Sequence, residues 1–211
     1  MGDPAAYDYL RDPGAIYQRS FEIVRAEADF SRLPENLHDV AVRLIHACGM
    51  TDLPNDLAWD GDPAAAGRSA LRSGAPILVD VEMVRHGIID RALPAQNRII
   101  CSLNDDGVRE EAQTRGDTRS ATAVERWRDD LAGAVVCIGN APTALFRLLE
   151  LLRDGAASPA VILGFPVGFV GAAESKEALA TARLGIPFLT LRGRRGGSAI
   201  AAAAVNALAR V

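Results

Sequence analysis

The sequence predicts an α/β fold in three layers, with helices on both faces of a parallel five-stranded sheet. Two observations carry that prediction. "APILVDVEM", "NRIICSL", "GAVVCIGN", "PAVILGFPVGF" and "IPFLTLRG" are short runs rich in β-branched residues. Their near-continuous apolarity suits strands covered on both faces. Helix-like segments fall between them, and regular strand–helix alternation implies parallel strands joined by right-handed crossovers. The length of 211 residues, with 49% hydrophobic and 24% charged residues, fits one domain spanning 1–211. Within it an N-terminal helical section, about 12–74, should pack on the sheet.

Taken in order, Asp12 followed by Pro13 is a helix start, and Tyr17, Phe21, Val24 and Ala28 then share one side. After the break at Pro34, Leu37, Val40, Ala41, Leu44 and Cys48 recur at the spacing of a buried helical stripe. "DGDPAAAGRSALRSG" reads as a third helix ending near Gly74. Between and after the apolar runs come a short helix near Asp105 to Thr114, then "RSATAVERWRDDLAG", "APTALFRLLELLRDG" and "AAESKEALATARLG". The chain closes on "GGSAIAAAAVNALAR", where alanine's high helix propensity favours a close-packed helix over disorder.

The helix "VRLIHACG" carries His46 on the side opposite its apolar stripe, one turn before Gly49, a natural left-handed cap. Two readings stand. An imidazolium there compensates the carbonyl end of the helix dipole. Alternatively, the polar face lines a pocket, and a side chain with an unperturbed pKa near 6.5 handles protons in it. His38, two turns earlier, is expected at the surface.

Ligands of open parallel sheets bind outside the carboxyl ends of the strands. Those positions are rich in polar and glycine residues here. The first strand leads to Asp80, Glu82 and His86, and the second to Ser102, Asn104 and Asp105. "IGNAPTAL" supplies Asn140 as a cap, Pro142 in the first turn, and a helix start able to receive a carboxylate or phosphate. "GFPVGFVGAAESK" brings Gly164, Gly168 and Gly171, and "LRGRRGGSAI" brings Arg192, Arg194 and Arg195, whose forks suit carboxylates. Asn140, His86, Arg192 and Arg194 are therefore candidate binding residues. Each also has an ordinary structural reading as turn, cap or solvated charge.

Several classes are disfavoured. A net charge of −4 gives no basic excess for nucleic acid or an acidic membrane. Neither a phosphate-loop nor a dinucleotide-binding glycine pattern occurs, and three histidines at 38, 46 and 86 give no metal-ligand spacing. Cys48, Cys101 and Cys137 sit in apolar runs and read as reduced core thiols. The start "MGDPAAYDYLRD" has no secretory pattern, and no apolar run approaches about 18 residues, so a cytoplasmic protein is expected.

The motifs "YDYLRDPGAIYQRSFEIVRAEAD", "HACG", "GAPILVDVEMVRHG", "TRSA", "GNAPTAL", "GFPVGFVGAAESK" and "RGRRGGSA", in this order, resemble the precorrin-8X methylmutase (precorrin isomerase) family of cobalamin biosynthesis. The resemblance runs from about Tyr7 to the last helix. It implies a flavodoxin-like sandwich, a homodimer, and an isomerase that moves a methyl group between neighbouring carbons of ring C. Precorrin-8X would be the substrate and hydrogenobyrinic acid the product, with no metal or organic cofactor. The family's catalytic histidine falls in "HACG" and transfers to His46, as proton donor to the conjugated ring. A first-helix serine and the arginine of "TRSA" transfer as substrate neighbours to Ser20 and Arg119. A related branch acts on cobalt-precorrin-8, and the motif wording is nearer the metal-free branch. Two rivals differ in class: a non-catalytic tetrapyrrole carrier, and an enzyme for a smaller phosphorylated metabolite.

Overall fold

The computed structural model describes residues 7–210. Residues 1–6 and 211, which belong to the expected 1–211 domain and to the N-terminal segment read for targeting, lie outside the described residues.

The N-terminal section begins with α1 (Pro13–Glu27) and α2 (Glu35–Cys48). The Asp12 carboxylate accepts the Ala15 N–H at 2.7 Å, satisfying one of the free donors of the first turn of α1. Helix α2 ends at Gly49 with φ 71° and ψ 16°, and the Gly49 N–H donates to the Ile45 carbonyl at 2.7 Å. The expected stripe is the buried one: Leu37, Val40, Ala41 and Leu44 are 0–1% exposed, while Cys48 at the end is half-buried. Each large aliphatic side chain in it contributes about 1.5–3 kcal/mol by leaving water.

This section then departs from the helical expectation. Leu57–Asp60 form a strand, β1, before α3 (Pro63–Arg72). The sheet therefore has six strands and is mixed, not five-stranded and wholly parallel. Its remaining strands are β2 (Ile77–Val79), β3 (Ile99–Ile100), β4 (Val135–Ile138), β5 (Val161–Gly164) and β6 (Phe188–Leu191), in spatial order β1-β6-β5-β4-β2-β3. β1 runs antiparallel to β6, with Leu57 opposite Leu191 and Asp60 opposite Phe188. The physical reason it escapes a sequence reading is its edge position: "LAWD" has one strand neighbour, only Leu57 is buried, and it lacks the β-branched run of the interior strands.

The five apolar runs do supply the five parallel strands, in registers such as Ile77 with Val135, Val135 with Val161 and Ile162 with Phe188. Alternation along them feeds two cores. Ile77, Val79, Val135, Cys137, Val161, Leu163 and Leu189 face α2, α3, α9 (Ser198–Ala209) and α4 (Glu82–Gly87). Leu78, Val136, Ile138, Ile162 and Phe188 face α6 (Arg119–Glu125), α7 (Pro142–Arg153) and α8 (Ala172–Thr181). Helix α5 (Val108–Arg115) packs beside α6. The alanines of α9 allow close approach, so that a Cβ added at Gly87 would lie 2.7 Å from that of Ala202.

Three local expectations are corrected. The helix from "RSATAVERWRDDLAG" stops at Glu125, because the following turns are held by three-residue backbone bonds: the N–H groups of Arg126, Trp127 and Asp130 donate to the carbonyls of Ala123, Val124 and Trp127, with Trp127 buried. His38 is half-buried, tilted against Phe30 with ring centroids 5.4 Å apart and its Nε2 3.1 Å from the Leu33 carbonyl. "VEMVRHG" is helical from Glu82, which leaves β2 only three residues long.

Candidate functional site

Where strand order reverses, between β2 and β4, a crevice is expected outside the carboxyl ends of the strands. Asp80 fills the bottom of it. Only 2% exposed, its carboxylate accepts the N–H groups of Gly139 at 2.8 Å, Asn140 at 2.9 Å and Ala141 at 2.8 Å. Burial pushes its pKa up from the ordinary carboxylate range, and the three N–H bonds oppose that shift. Asp80 thus satisfies the turn that opens α7, whose capping position is Ala141 with no side-chain cap bond. The expected Asn140 cap is absent because α7 begins one residue later, with Ala141 at the capping position and Pro142, which has no N–H to donate, next. The exposed Asn140 side chain remains beside this turn, and the Asn140 backbone carbonyl accepts the Val167 N–H at 3.4 Å.

The loop before α9 is similarly engaged. Arg195 binds Asp52 through Nη1 at 2.9–3.0 Å and Asp56 through Nη2, which raises its pKa, the Asp56 bond contributing most. Its carbonyl accepts from Lys176 Nζ at 2.5 Å. Lys176 is fully buried, and burial, aided by the nearby Arg195 charge, lowers its pKa to about 8. A Cβ at Gly196 would strike the Phe165 and Pro166 carbonyl oxygens, so only glycine lets these two loops meet. Arg192 and Arg194 are exposed: Arg192 lies 3.8 Å from Glu177, and the Arg194 guanidinium carbon lies 5.2 Å from the centre of the Phe169 ring. His86, also exposed, is 3.7 Å from Glu82, one turn away on α4.

His46 lies in a different setting. It projects from the last turn of α2 into the space beside α1, exposed on one side and flanked by two aromatic rings on the other. The Phe21 ring stands edge-on at 5.2 Å between centroids and the Tyr17 ring at 5.8 Å. Among the described residues the imidazole makes no hydrogen bond or ion pair to protein. Its orientation is fixed by packing while both nitrogens stay available to a ligand, an arrangement suited to giving or accepting a proton. Ser20 shares this turn of α1, with its hydroxyl donating to the Ile16 carbonyl at 2.8 Å. One turn before His46, Arg43 donates to the Tyr17 hydroxyl at 2.5 Å and lies 5.1 Å from the centre of the Phe21 ring.

The sequence candidates therefore fall into separate groups. Ser20 and His46 both lie on the α1–α2 surface. Asn140 lies on the β4–α7 turn, Arg192 and Arg194 in the loop before α9, and His86 on α4. Arg119 is exposed at the first position of α6, on the other side of the sheet from α2, behind the cap in which Thr118 accepts from Ala121 at 3.2 Å. No contact joins Arg119 to His46 among the described residues. Tyr17, Phe21 and Arg43 were not singled out as functional from sequence. A usable signal was present in Asp39, Arg43 and His46, which recur at i, i+4 and i+7 and form one polar face of α2.

Thiol and metal chemistry find little footing. Burial raises the Cys101 thiol to about 11 and Cys137 well above its ordinary value, so neither supplies a thiolate near neutrality. Among the described residues no three His, Cys, Asp or Glu side chains gather as a metal site. No described helix is long and apolar enough to cross a membrane.

Comparison with known proteins gives a consistent relationship. Residues 15–211 match the family described as precorrin-8X methylmutase. A precorrin-8X methylmutase of Pseudomonas aeruginosa is 59% identical, over 96% of this chain and 97% of that protein. One from Sinorhizobium sp. is 57% identical over 97% of each. A cobalt-precorrin-8 methylmutase of Priestia megaterium is 36% identical over 93% of this chain and 87% of its own length. The solved precorrin-8X methylmutase of Thermus thermophilus superposes with a TM-score of 0.84 at 36% identity, covering 93% of this chain and 94% of that one.

Proposed function

The chain belongs to the precorrin-8X methylmutase family, and from that premise we propose that it converts precorrin-8X to hydrogenobyrinic acid, with His46 as proton donor. The reaction is an intramolecular methyl transfer, an isomerisation, between adjacent carbons of ring C. The observation that carries the choice of substrate is the gap in identity. The two precorrin-8X methylmutases stand at 57–59%, against 36% for the cobalt-precorrin-8 enzyme of Priestia megaterium.

A methyl shift around a conjugated ring needs no nucleophile. Protonating a ring nitrogen redistributes its electrons, and a positioned general acid typically contributes 10²–10⁴-fold in rate. His46 suits the role because Tyr17 and Phe21 hold its ring while leaving its nitrogens free. The aromatic edges also offer an apolar bed for a macrocycle. Ser20 borders that bed, and Arg119, Asn140, His86, Arg192 and Arg194 belong to the proposal as residues that grip or orient the acid arms around the rim. The five parallel strands follow the flavodoxin-like order, second-first-third-fourth-fifth, with β1 added at the edge. A homodimer acting in the cytoplasm, with no metal or organic cofactor, completes the reading.

The test is anaerobic incubation of purified protein with precorrin-8X and, separately, with cobalt-precorrin-8, followed by visible absorbance. Formation of hydrogenobyrinic acid from the first at the higher kcat/KM is the expected result. Preference for the cobalt substrate moves the chain to the other branch, and tight product binding without turnover makes it a carrier.

A further inference from the structure

Sharing Phe21 with the surroundings of His46 is a groove of about 390 Å³ walled by Phe21, Val42 and Ala207 and edged by arginines. Four come from four different helical segments: Arg25, Arg43, Arg68 and Arg210. Asp39 is the acid in the wall, and it is paired with Arg25 at 2.6 Å. Among the described residues Arg43, Arg68 and Arg210 have no carboxylate partner. Arg43 is held against Tyr17 and Phe21, and the Arg210 guanidinium carbon lies 5.5 Å from the centre of the Tyr17 ring. The Nε of Arg68 is shielded from solvent and has no hydrogen-bond partner among the described residues. A second hollow adjoins through Arg68 and adds Arg72.

Three unpaired guanidinium groups around one cleft repel one another, and a shielded Nε–H without an acceptor costs free energy. In a chain of net charge −4 this concentration is local. Both costs are relieved by an anion with several oxygens, and guanidinium forks match carboxylates two bonds at a time. Tyr17 and Phe21 lie against both His46 and the arginines, so a ligand seated over His46 can extend its edge across these rings into the groove.

We propose that Arg43, Arg68 and Arg210 form a carboxylate subsite that receives peripheral acid arms of the tetrapyrrole while the ring lies over His46. The proposal rests on the methylmutase reading for the identity of the polycarboxylate. The subsite binds substrate and product alike, because the acid arms do not change in the reaction. It therefore acts on affinity and orientation more than on the chemical step.

The test compares wild type with Arg68→Gln, Arg68→Lys and Arg210→Gln. Hydrogenobyrinic acid binding is titrated by visible absorbance at low and high salt, and kcat and KM are measured with precorrin-8X. Arg68→Gln is expected to raise Kd and KM about tenfold to a hundredfold with kcat nearly unchanged, Arg68→Lys to recover part of the loss, and added salt to shrink the difference. Arg210→Gln, at an exposed position, should show a smaller loss in the same direction, and it decides the matter if Arg68→Gln does not fold. Unchanged Kd and KM in both glutamine variants, with turnover intact, overturn the subsite and leave the methylmutase reading standing. A fall in kcat without a change in Kd also overturns it. Wild type that neither binds nor converts the tetrapyrrole overturns the functional reading and the subsite together.

Discussion

The carboxyl edge of the sheet and the α1–α2 surface both carry dense polar groups, but they spend them differently. At the edge, Asp80 accepts three backbone N–H groups, Arg195 is shared by Asp52 and Asp56, and the buried Lys176 holds the Arg195 carbonyl. These residues hold loops to one another. On the α1–α2 surface His46 and Arg43 are positioned by aromatic contact, and they and the neighbouring Arg68 of α3 have no ionic partners among the described residues. The difference teaches that polar density alone does not locate a ligand. The informative quantity is hydrogen-bonding capacity left unused in a shaped, partly apolar setting.

That contrast can be broken most severely at Asp80. Asp80→Ala would strand the Gly139, Asn140 and Ala141 N–H groups, and each unsatisfied buried group costs about 1–3 kcal/mol. Allowing for overlap, a loss of about 3–5 kcal/mol in urea unfolding is expected. A loss under about 1 kcal/mol would mean that water replaces the carboxylate and the edge is less committed than its bonds indicate.

Lys176 offers a sharper probe because its signature depends on pH. Its folded pKa is depressed from 10.5 to about 8, so between those values the unfolded chain binds the extra proton and stability rises with pH. The contribution is complete above 10.5 and is lost as pH falls through about 8. Wild type should gain up to about 3 kcal/mol over Lys176→Met across that window, read as the difference between urea curves. A pH-independent difference would place the ammonium in contact with water.

Smaller effects separate the two regions further. Thr118→Ala removes the oxygen that accepts the Ala121 N–H at the start of α6 and should cost about 1 kcal/mol in thermal or urea unfolding. Arg210→Gln on the α1–α2 surface should change stability by no more than about 0.5 kcal/mol, because no ionic partner among the described residues is lost. A larger destabilisation from Arg210→Gln would make this surface structural, like the edge.

Much of the fold was legible because its signals are local. The stripe from Leu37 to Leu44, the left-handed Gly49 and the five apolar runs each declare themselves within a few residues. β1 did not, because an edge strand with one buried position out of four carries almost no pattern. The true end of α6 is marked by no glycine or proline: from Arg126 the backbone switches to three-residue bonds, and Trp127 is buried against the core, which no local stop signal announces. In the candidate site His46 stood out by its position opposite the stripe, and Ser20 and Arg119 came through the family resemblance alone. Arg43, Arg68 and Arg210 converge only after folding, since they lie on α2, on α3 and just past α9. The carboxyl-edge rule drew attention to Asp80 and Asn140 correctly as a crowded place, yet the structure shows many of its polar groups already satisfied.

The most direct test of the account is the anaerobic conversion of precorrin-8X by wild type and by His46→Gln at saturating substrate, with hydrogenobyrinic acid binding measured on the same samples. The account predicts a 10²–10⁴-fold lower kcat for the variant, with product affinity within a few fold of wild type. Equal kcat in the two proteins would contradict it, and would remove His46 from the chemistry whatever the α1–α2 surface binds.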